Sequence, residues 1–255
     1  MKNLTWQNPE QLFVAQELIN KVKSKCCGIK VLFALVSVAG FSQITGWNAK
    51  VGMNVSNWTT DGVDAKVGFR VGVGTEYAFN DMWSLQPSLF FSTKGGKVDS
   101  GEMLGASAKV TMNQMYLELP VMAAARFNVA NNTNIVITAG PYLGYGVGGK
   151  TKATIKYEGE KATAKFNTFG KIDKVTIEAG GQSHDFSIGD IIDPDEYDLS
   201  EMKGLHRFDF GLGVGVALEY QKFIVGLDGQ FGLTKLDTDA GKNLNFAISV
   251  GYKFW

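Results

Sequence analysis

From Trp47 onward the chain alternates between apolar and polar-or-small residues, segment after segment. A period of two belongs to β-strands, whose successive side chains point to opposite faces. The run Phe208 to Tyr220 is the clearest case. Phe208, Phe210, Leu212, Val214, Val216, Leu218 and Tyr220 share one face, and Asp209, Gly211, Gly213, Gly215, Ala217 and Glu219 the other. The last segment behaves alike, with Leu244, Phe246, Ile248, Val250, Tyr252 and Phe254 set against Asn245, Ala247, Ser249, Gly251 and Lys253. The pattern predicts eight strands, over 47–56, 66–79, 83–95, 113–127, 134–149, 207–220, 223–234 and 243–254. In the fourth, the alternation breaks near Val110–Asn113, which predicts a β-bulge. The connections Asn80–Met82, Asn128–Thr133 and Gln221–Lys222 are short, whereas Asn57–Ala65, Gly96–Met112, Lys150–His206 and Lys235–Lys242 are longer. Short turns at one end and long loops at the other are the pattern of an antiparallel meander barrel that spans an outer membrane.

The distribution of charge separates a membrane barrel from a soluble one. The apolar face of these strands carries no charged residue, and its few non-apolar members are Thr75, Thr93 and Gly229. The opposite face carries Lys50, Arg70, Glu76, Lys94, Glu118, Arg126, Asp209, Glu219, Asp228 and Lys253, together with most of the strand glycines. An eight-stranded barrel has an interior only wide enough for ordinary side chains. The large apolar face therefore points outward. In water it would be an exposed patch far larger than monomers tolerate, whereas lipid matches it once barrel closure has satisfied every backbone polar group. Aromatic residues gather at the short-turn ends (Trp47, Tyr77, Phe79, Trp83, Phe127, Tyr220, Phe223, Tyr252, Phe254, Trp255) and again near the long-loop ends (Phe69, Phe91, Tyr145, Phe208, Phe210, Phe231, Phe246). Two such belts are expected at the two membrane interfaces. The ten inward charges are five basic and five acidic, so they are expected to pair as a structural network. Plausible adjacent-strand partners are Arg70 with Glu76 or Glu118, and Asp209 or Glu219 with Asp228 and Lys253. Tyr116, Tyr142, Phe90 and Met122 are expected to fill the remaining lumen. A narrow ion or solute path is the competing reading, and a wide diffusion pore needs roughly twice as many strands.

Composition refines this picture. The chain has 255 residues, 25 Lys+Arg against 25 Asp+Glu, and 31 glycines against 5 prolines. Zero net charge offers no footprint for nucleic acid. Residues Val31 to Phe41 form a short apolar run, preceded by Lys21, Lys23, Lys25 and Lys30 and followed by Gly40, Ser42 and Gln43. These are the parts of a secretory signal peptide. Residues 1–43 are thus expected to be a leader, and 44–255 a barrel domain with a long external loop over 150–206. The basic flank is long for a leader; an early start codon and a fused leader both account for it. Cys26 and Cys27 precede the apolar run, so the expected mature chain has no cysteine for a lipid anchor, disulfide or nucleophile.

Other chemical signals are weak. Ser183, His184 and Asp185 are consecutive, so their side chains diverge rather than converge as a triad must. A barrel-embedded lipid-modifying enzyme is kept as an alternative. Asp190, Asp193, Asp195, Glu196 and Asp198 are carboxylates of the kind calcium prefers, without the glycine-centred loop. The glycine-alternating stretches lack the helix and the GK[ST] of a nucleotide site. No catalytic, metal or cofactor site is expected. The long loop is basic in its first half (Lys150, Lys152, Lys156, Lys161, Lys165, Lys171, Lys174) and acidic in its second. ATIKYEG and KATAKFN alternate within it, which predicts a hairpin continuing above the membrane. The loop is either a self-neutralising ordered element or a contact surface for an envelope protein or polysaccharide.

The segments VGFRVGVGTEY, LQPSLFFSTKG, YLELPV, GPYLGYG, RFDFGLGVGVALEY and the terminal ISVGYKFW resemble the PorT-like small outer-membrane β-barrels common in Bacteroidota. The resemblance spans Gly52 to Trp255, apart from the long loop. It implies an eight-stranded barrel, outer-membrane residence, and a structural or interactive role. For some members it implies an accessory place in a protein secretion or surface-assembly system. The terminal Tyr252, Phe254 and Trp255 resemble the signal read by the barrel-assembly machinery, with Trp255 following the phenylalanine on which that signal usually ends.

Overall fold

The computed structural model describes residues 44–60, 62–103, 106–188, 204–236 and 241–254. The predicted leader, including its apolar core, lies outside them. Twelve strands form: β1 (Ile44–Trp58), β2 (Asp64–Ala78), β3 (Trp83–Met103), β4 (Ala106–Ala130), β5 (Thr133–Gly148), β6 (Lys150–Tyr157), β7 (Glu160–Asn167), β8 (Lys174–Ala179), β9 (Gln182–Ser187), β10 (Phe208–Tyr220), β11 (Phe223–Lys235) and β12 (Lys242–Lys253). Eight of them close a ring in the order β1-β2-β3-β4-β5-β10-β11-β12, and antiparallel pairing of β12 with β1 completes it. Closure leaves no strand edge in the ring itself, which a lipid-facing sheet requires.

The turns at one end are tight. Asn80 Oδ1 accepts from the backbone N–H groups of Met82 (3.0 Å) and Trp83 (2.7 Å), closing the β2–β3 connection as an Asx-type turn. Residues 131–132 join β4 to β5, with Asn132 at φ 57°, a left-handed conformation that asparagine tolerates. At this end Trp47, Phe79, Trp83, Phe127, Tyr220, Phe223, Tyr252 and Phe254 all stand exposed on the outer side. The mid-strand outer positions are aliphatic and exposed, as at Val51, Met53, Val71, Ile137, Val214 and Leu227. Their alternation with buried Asn54, Arg70, Glu118 and Asp209 places the apolar face outside and the charged face inside.

The other end differs from the prediction in extent. Segment 96–112, expected as a loop, is a continuation of the β3–β4 hairpin that keeps one register from Trp83↔Ala125 to Asp99↔Lys109. The expected long loop contains four strands. β6 continues β5 alongside β4, and β7, β8 and β9 follow as an antiparallel meander. The predicted bulge in β4 is corrected. The register shift lies between Met115↔Gly148 and Tyr116↔Gly146, so Val147 of β5 is the extra residue. From Lys109 to Leu117 the parity of β4 does not change; the polarity of its faces does. Leu117 and Met115 point outward in the membrane, and Thr111 and Lys109 continue that face above it. Inward, Glu118 and Gln114 give way to Met112 and Val110. The break in the sequence pattern marks the point where the strand leaves the bilayer.

Candidate functional site: a tiered charge network in the lumen

All ten predicted interior charges project into the ring, and they sort into three tiers. Nearest the tight turns, Arg126 of β4 lies 2.8 Å from Glu76 of β2 and 3.1 Å from Glu219 of β10. Lys253 of β12 lies 2.6 Å from Glu219 and 3.7 Å from Glu76. Three of these four, Arg126, Glu76 and Lys253, floor a vestibule of about 340 Å³, open toward the tight turns and also lined by Trp47, Asn48 and Asn80. In the middle tier Arg70 of β2 reaches Asp228 of β11 at 3.2 Å and stacks 3.9 Å above the Phe90 ring. Lys50 stands between these two tiers, lining the small cavities on either side, and among the described residues no carboxylate lies within 4 Å of it.

The third tier, toward the long strands, is fully buried. Lys94 Nζ lies 2.5 Å from Glu118 and 3.9 Å from Asp209, and 5.1 Å from the centre of the Tyr142 ring. Asp209 accepts from Tyr142 Oη (3.2 Å), Asn243 Nδ2 (2.9 Å) and Thr234 Oγ1 (3.2 Å). Glu118 accepts from Gln230 Nε2 (3.2 Å), which in turn leads through Asn245 to Asn54. Neutral amides thus satisfy the carboxylate lone pairs that the single lysine does not.

Among the ten lumen charges, only the Lys94–Glu118 contact joins adjacent ring strands. Arg70 pairs with neither Glu76 nor Glu118, as adjacency had suggested, but reaches past β1 and β12 to Asp228. The ring is narrow enough that long side chains meet across it. Tyr116, Tyr142 and Phe90 are buried in the lumen. Glycine makes room for them: a Cβ on Gly211 would fall 2.5 Å from the Tyr142 ring. Two interior cavities beside Lys50 measure about 20 Å³ and 40 Å³, space for one or a few waters.

The lumen has one occupant that periodicity did not reveal. Phe169, between β7 and β8, is 3 % exposed and sits edge-on against Tyr116 with centroids 5.4 Å apart. Its neighbour Thr168 donates to the carbonyl of Asn113 (2.8 Å), and a bridge from Phe169 to Leu205 holds the segment in place. Arg207 lies 5.9 Å from the other side of the ring. Gly146 lies beneath it, where a Cβ would come within 2.7 Å of Phe169 Cζ.

Of the weaker signals, Ser183 and Asp185 share one face of β9 and His184 takes the other. Asp185 accepts from Thr176 (2.7 Å), and His184 contacts Gln182 (3.4 Å), so the three do not converge. His206 donates its backbone N–H to Leu236 (2.8 Å). The carboxylate cluster from Asp190 to Asp198, and Trp255 of the terminal signal, lie outside the described residues. Tyr252 and Phe254 stand at the outer rim, their rings 5.9 Å apart.

Among solved structures, the chain is similar to Ail, the attachment invasion locus protein of Yersinia pestis, at 16% identity over 82% of this chain and 98% of that one, TM-score 0.34. Neisserial surface protein A shows 10% identity over 81% and 95%, TM-score 0.35. The translocator domain of the autotransporter NalP from Neisseria meningitidis shows 8% identity over 96% and 99%, TM-score 0.28. No curated protein matches the chain. The outer membrane protein beta-barrel domain matches over residues 41–238. By its closed antiparallel ring, its lipid-facing apolar band and that match, the chain belongs to the outer membrane protein beta-barrel domain family and resides in the outer membrane.

Proposed function

We propose that this is a structural and interaction barrel of the cell envelope, with a lumen packed shut by side chains and external strands that serve as a contact surface. The observation that carries the reading is the third tier: Lys94, Glu118 and Asp209 are each at most 1 % exposed, and Phe169 caps them from the external side. A conducting path would need continuous water there, and the two cavities around Lys50 below that tier measure about 20 Å³ and 40 Å³. Ion pairs that hold one another across a narrow ring stiffen it rather than select a solute. In this reading the protein is not an enzyme; the divergence of Ser183, His184 and Asp185 supports that. Export by the leader with its apolar core at Val31–Phe41, and recognition of Tyr252, Phe254 and Trp255 by the barrel-assembly machinery, complete the proposal. The PorT-like, Bacteroidota-type assignment rests on the strand segments quoted above.

Single-channel recording of the full chain in a planar bilayer tests the sealed lumen. The expected trace is silent at neutral pH; steady, large conductance overturns the proposal. A second reading, an accessory subunit of a secretion or surface-assembly system, is favoured by Ile155 and Tyr157, which are 59 % and 56 % exposed well above the membrane. Stoichiometric partners retained in mild detergent support it, and a monodisperse single chain counts against it. Alanine at His184 is expected to leave the lipid profile of the host membrane unchanged.

A further inference from the structure

The external strands form a sheet with two unlike faces. Pairing of β4 with β6 and of β6 with β7 sets Lys109, Lys152, Lys156, Lys161 and Lys165 on one side. The same registers set Val110, Met112, Ala153, Ile155, Ala164 and Phe166 on the other. Strand parity identifies the sides. Thr151, on the apolar side, is 4 % exposed and contacts Thr168 (3.1 Å) at the lumen mouth. Lys109 follows Met115 and Leu117 along the outward face of β4. The lysine side is therefore the upward continuation of the lipid-facing surface.

Two further observations give that side a ligand. Lysines stand directly opposite one another at Lys152↔Lys165 and Lys156↔Lys161, an arrangement that costs stability in a sheet. Carboxylates on the same sheet answer only part of the charge. Asp99 pairs with Lys109 at 2.9 Å and Glu178 with Lys165. Lys150, Lys152, Lys156 and Lys161 have no carboxylate within 4 Å among the described residues, and all four are exposed. At about 3.3 Å per residue and a tilt near 45°, Lys150 to Lys156 stand roughly 7 to 21 Å above Val147, the last apolar outward residue of β5. Lys150 is at the depth of the lipid head groups, about 5–8 Å beyond the hydrocarbon, and Lys152 and Lys156 stand above it, where the sugars of a glycolipid leaflet extend.

We infer that the outward face of β6 and β7 binds phosphate-bearing head groups of the glycolipid leaflet in which the barrel sits. The inference rests on the reading of the external strands as a contact surface and names what they contact. A point charge on a flexible stem suits phosphate, and the like-charge pairs become favourable once anions lie between them. Position favours lipid over a soluble polyanion: the lysines begin at the edge of the apolar band and face away from the barrel axis, where lipid is the neighbour.

The test uses the delipidated full chain in detergent and in phosphatidylcholine nanodiscs, with a bis-phosphorylated lipid A-type glycolipid and its dephosphorylated form as probes. The comparison protein is the variant K150Q/K152Q/K156Q/K161Q, with heat-modifiable gel mobility as the check that both barrels fold. At roughly fivefold per lysine near an anionic surface, native mass spectrometry is expected to show a preference for the phosphorylated glycolipid on the order of 10³-fold for the four lysines together, weakened by salt. The variant is expected to lose it. Equal binding of the two glycolipids by the wild type, with a soluble sulfated polysaccharide bound through the same lysines, overturns the inference and leaves the contact-surface reading standing. Equal binding with no polysaccharide bound overturns the inference, and a monodisperse single chain in mild detergent then overturns the contact-surface reading as well. A phosphate preference that persists in the folded quadruple variant overturns the assignment to β6 and β7.

Discussion

Replacing Lys94 with methionine tests whether the buried tier holds the barrel together. The side chain is 0 % exposed, 2.5 Å from Glu118 and 3.9 Å from Asp209. At an effective dielectric of about 20, the attraction across 3.9 Å alone is about 4 kcal/mol before desolvation is counted. Methionine is close in length and fills the space between Tyr116 and Tyr142, so the cavity term is small. What remains is a tier of two carboxylates and no cation. Removing one partner of a buried pair costs about 3–5 kcal/mol. A bare carboxylate can instead take up a proton, which at pH 7 costs an ordinary glutamate about 3.7 kcal/mol and caps the loss. The expectation is a loss of roughly 3–4 kcal/mol, read by urea unfolding in detergent or vesicles with gel mobility and tryptophan fluorescence as probes. Glu118→Gln alone should cost less, because Lys94 keeps Asp209. Adding it to Lys94→Met should recover part of the loss, giving a coupling of about 2 kcal/mol in the double-mutant cycle. A loss below about 1 kcal/mol for Lys94→Met, or strictly additive variants, would refute the reasoning.

Further outcomes follow from the same geometry. Val214→Arg, in the middle of the outer band, should cost about 2–4 kcal/mol in the same assay, because an arginine there meets hydrocarbon. Gly211→Ala should cost about 1–3 kcal/mol, since the added Cβ lies 2.5 Å from the Tyr142 ring and 2.2 Å from the Phe231 carbonyl; unchanged stability would mean that the lumen is loosely packed. Phe169→Ala removes the external cap but leaves the ion tier, so the barrel should stay silent in planar bilayers while Tyr116 gains solvent contact, measurable by fluorescence quenching. The hydrogen bond from Lys165, more than the nearby charges of Lys152 and Lys161, holds the Glu178 carboxyl below its usual 4.5. Its contribution to the β7–β8 pairing is therefore present above the ordinary glutamate range and lost as pH falls through the lowered value. Proteolysis of that hairpin should accelerate below about pH 4 and be insensitive to pH between 6 and 8.

The ring was readable from alternation because each strand separates two solvents of opposite character, and a one-residue error in parity would have put Arg70 or Glu118 into lipid. The pairing of the charges was not readable. Alternation states which side Arg70 faces but not the stagger of β2 against β11, and that stagger brings Asp228 rather than Glu76 to it. Gln230, Asn243 and Asn245 were visible as polar inward positions; that they would serve the carboxylates depended on the same stagger. Phe169 lies in a segment without period, and tertiary contacts fix it over the lumen: the bridge to Leu205 and the bonds of Thr168 to Asn113 and Gly149. The interruption at Val110–Asn113 was seen correctly and assigned the wrong cause. A change of solvent along a strand and an inserted residue give the same break in a hydropathy pattern, and the unbroken register of Val110–Asn113 against the neighbouring strands tells them apart.

The Arg126–Glu76–Glu219–Lys253 quartet bears on how the barrel is made. Its members come from β4, β2, β10 and β12, and the strands that enclose it are joined at a seam where Lys50 pairs with Gly251, about 200 residues further along the chain. Pairing within the β2–β3, β3–β4 and β10–β11 hairpins needs only neighbouring segments and can zip early; the seam between β1 and β12 needs both ends of the domain. Until it shuts, Lys253 has no route to Glu76, and the quartet lacks the one contact that spans the seam. That contact is thus a latch that engages on completion, tying the last strand to the second only when the ring is whole.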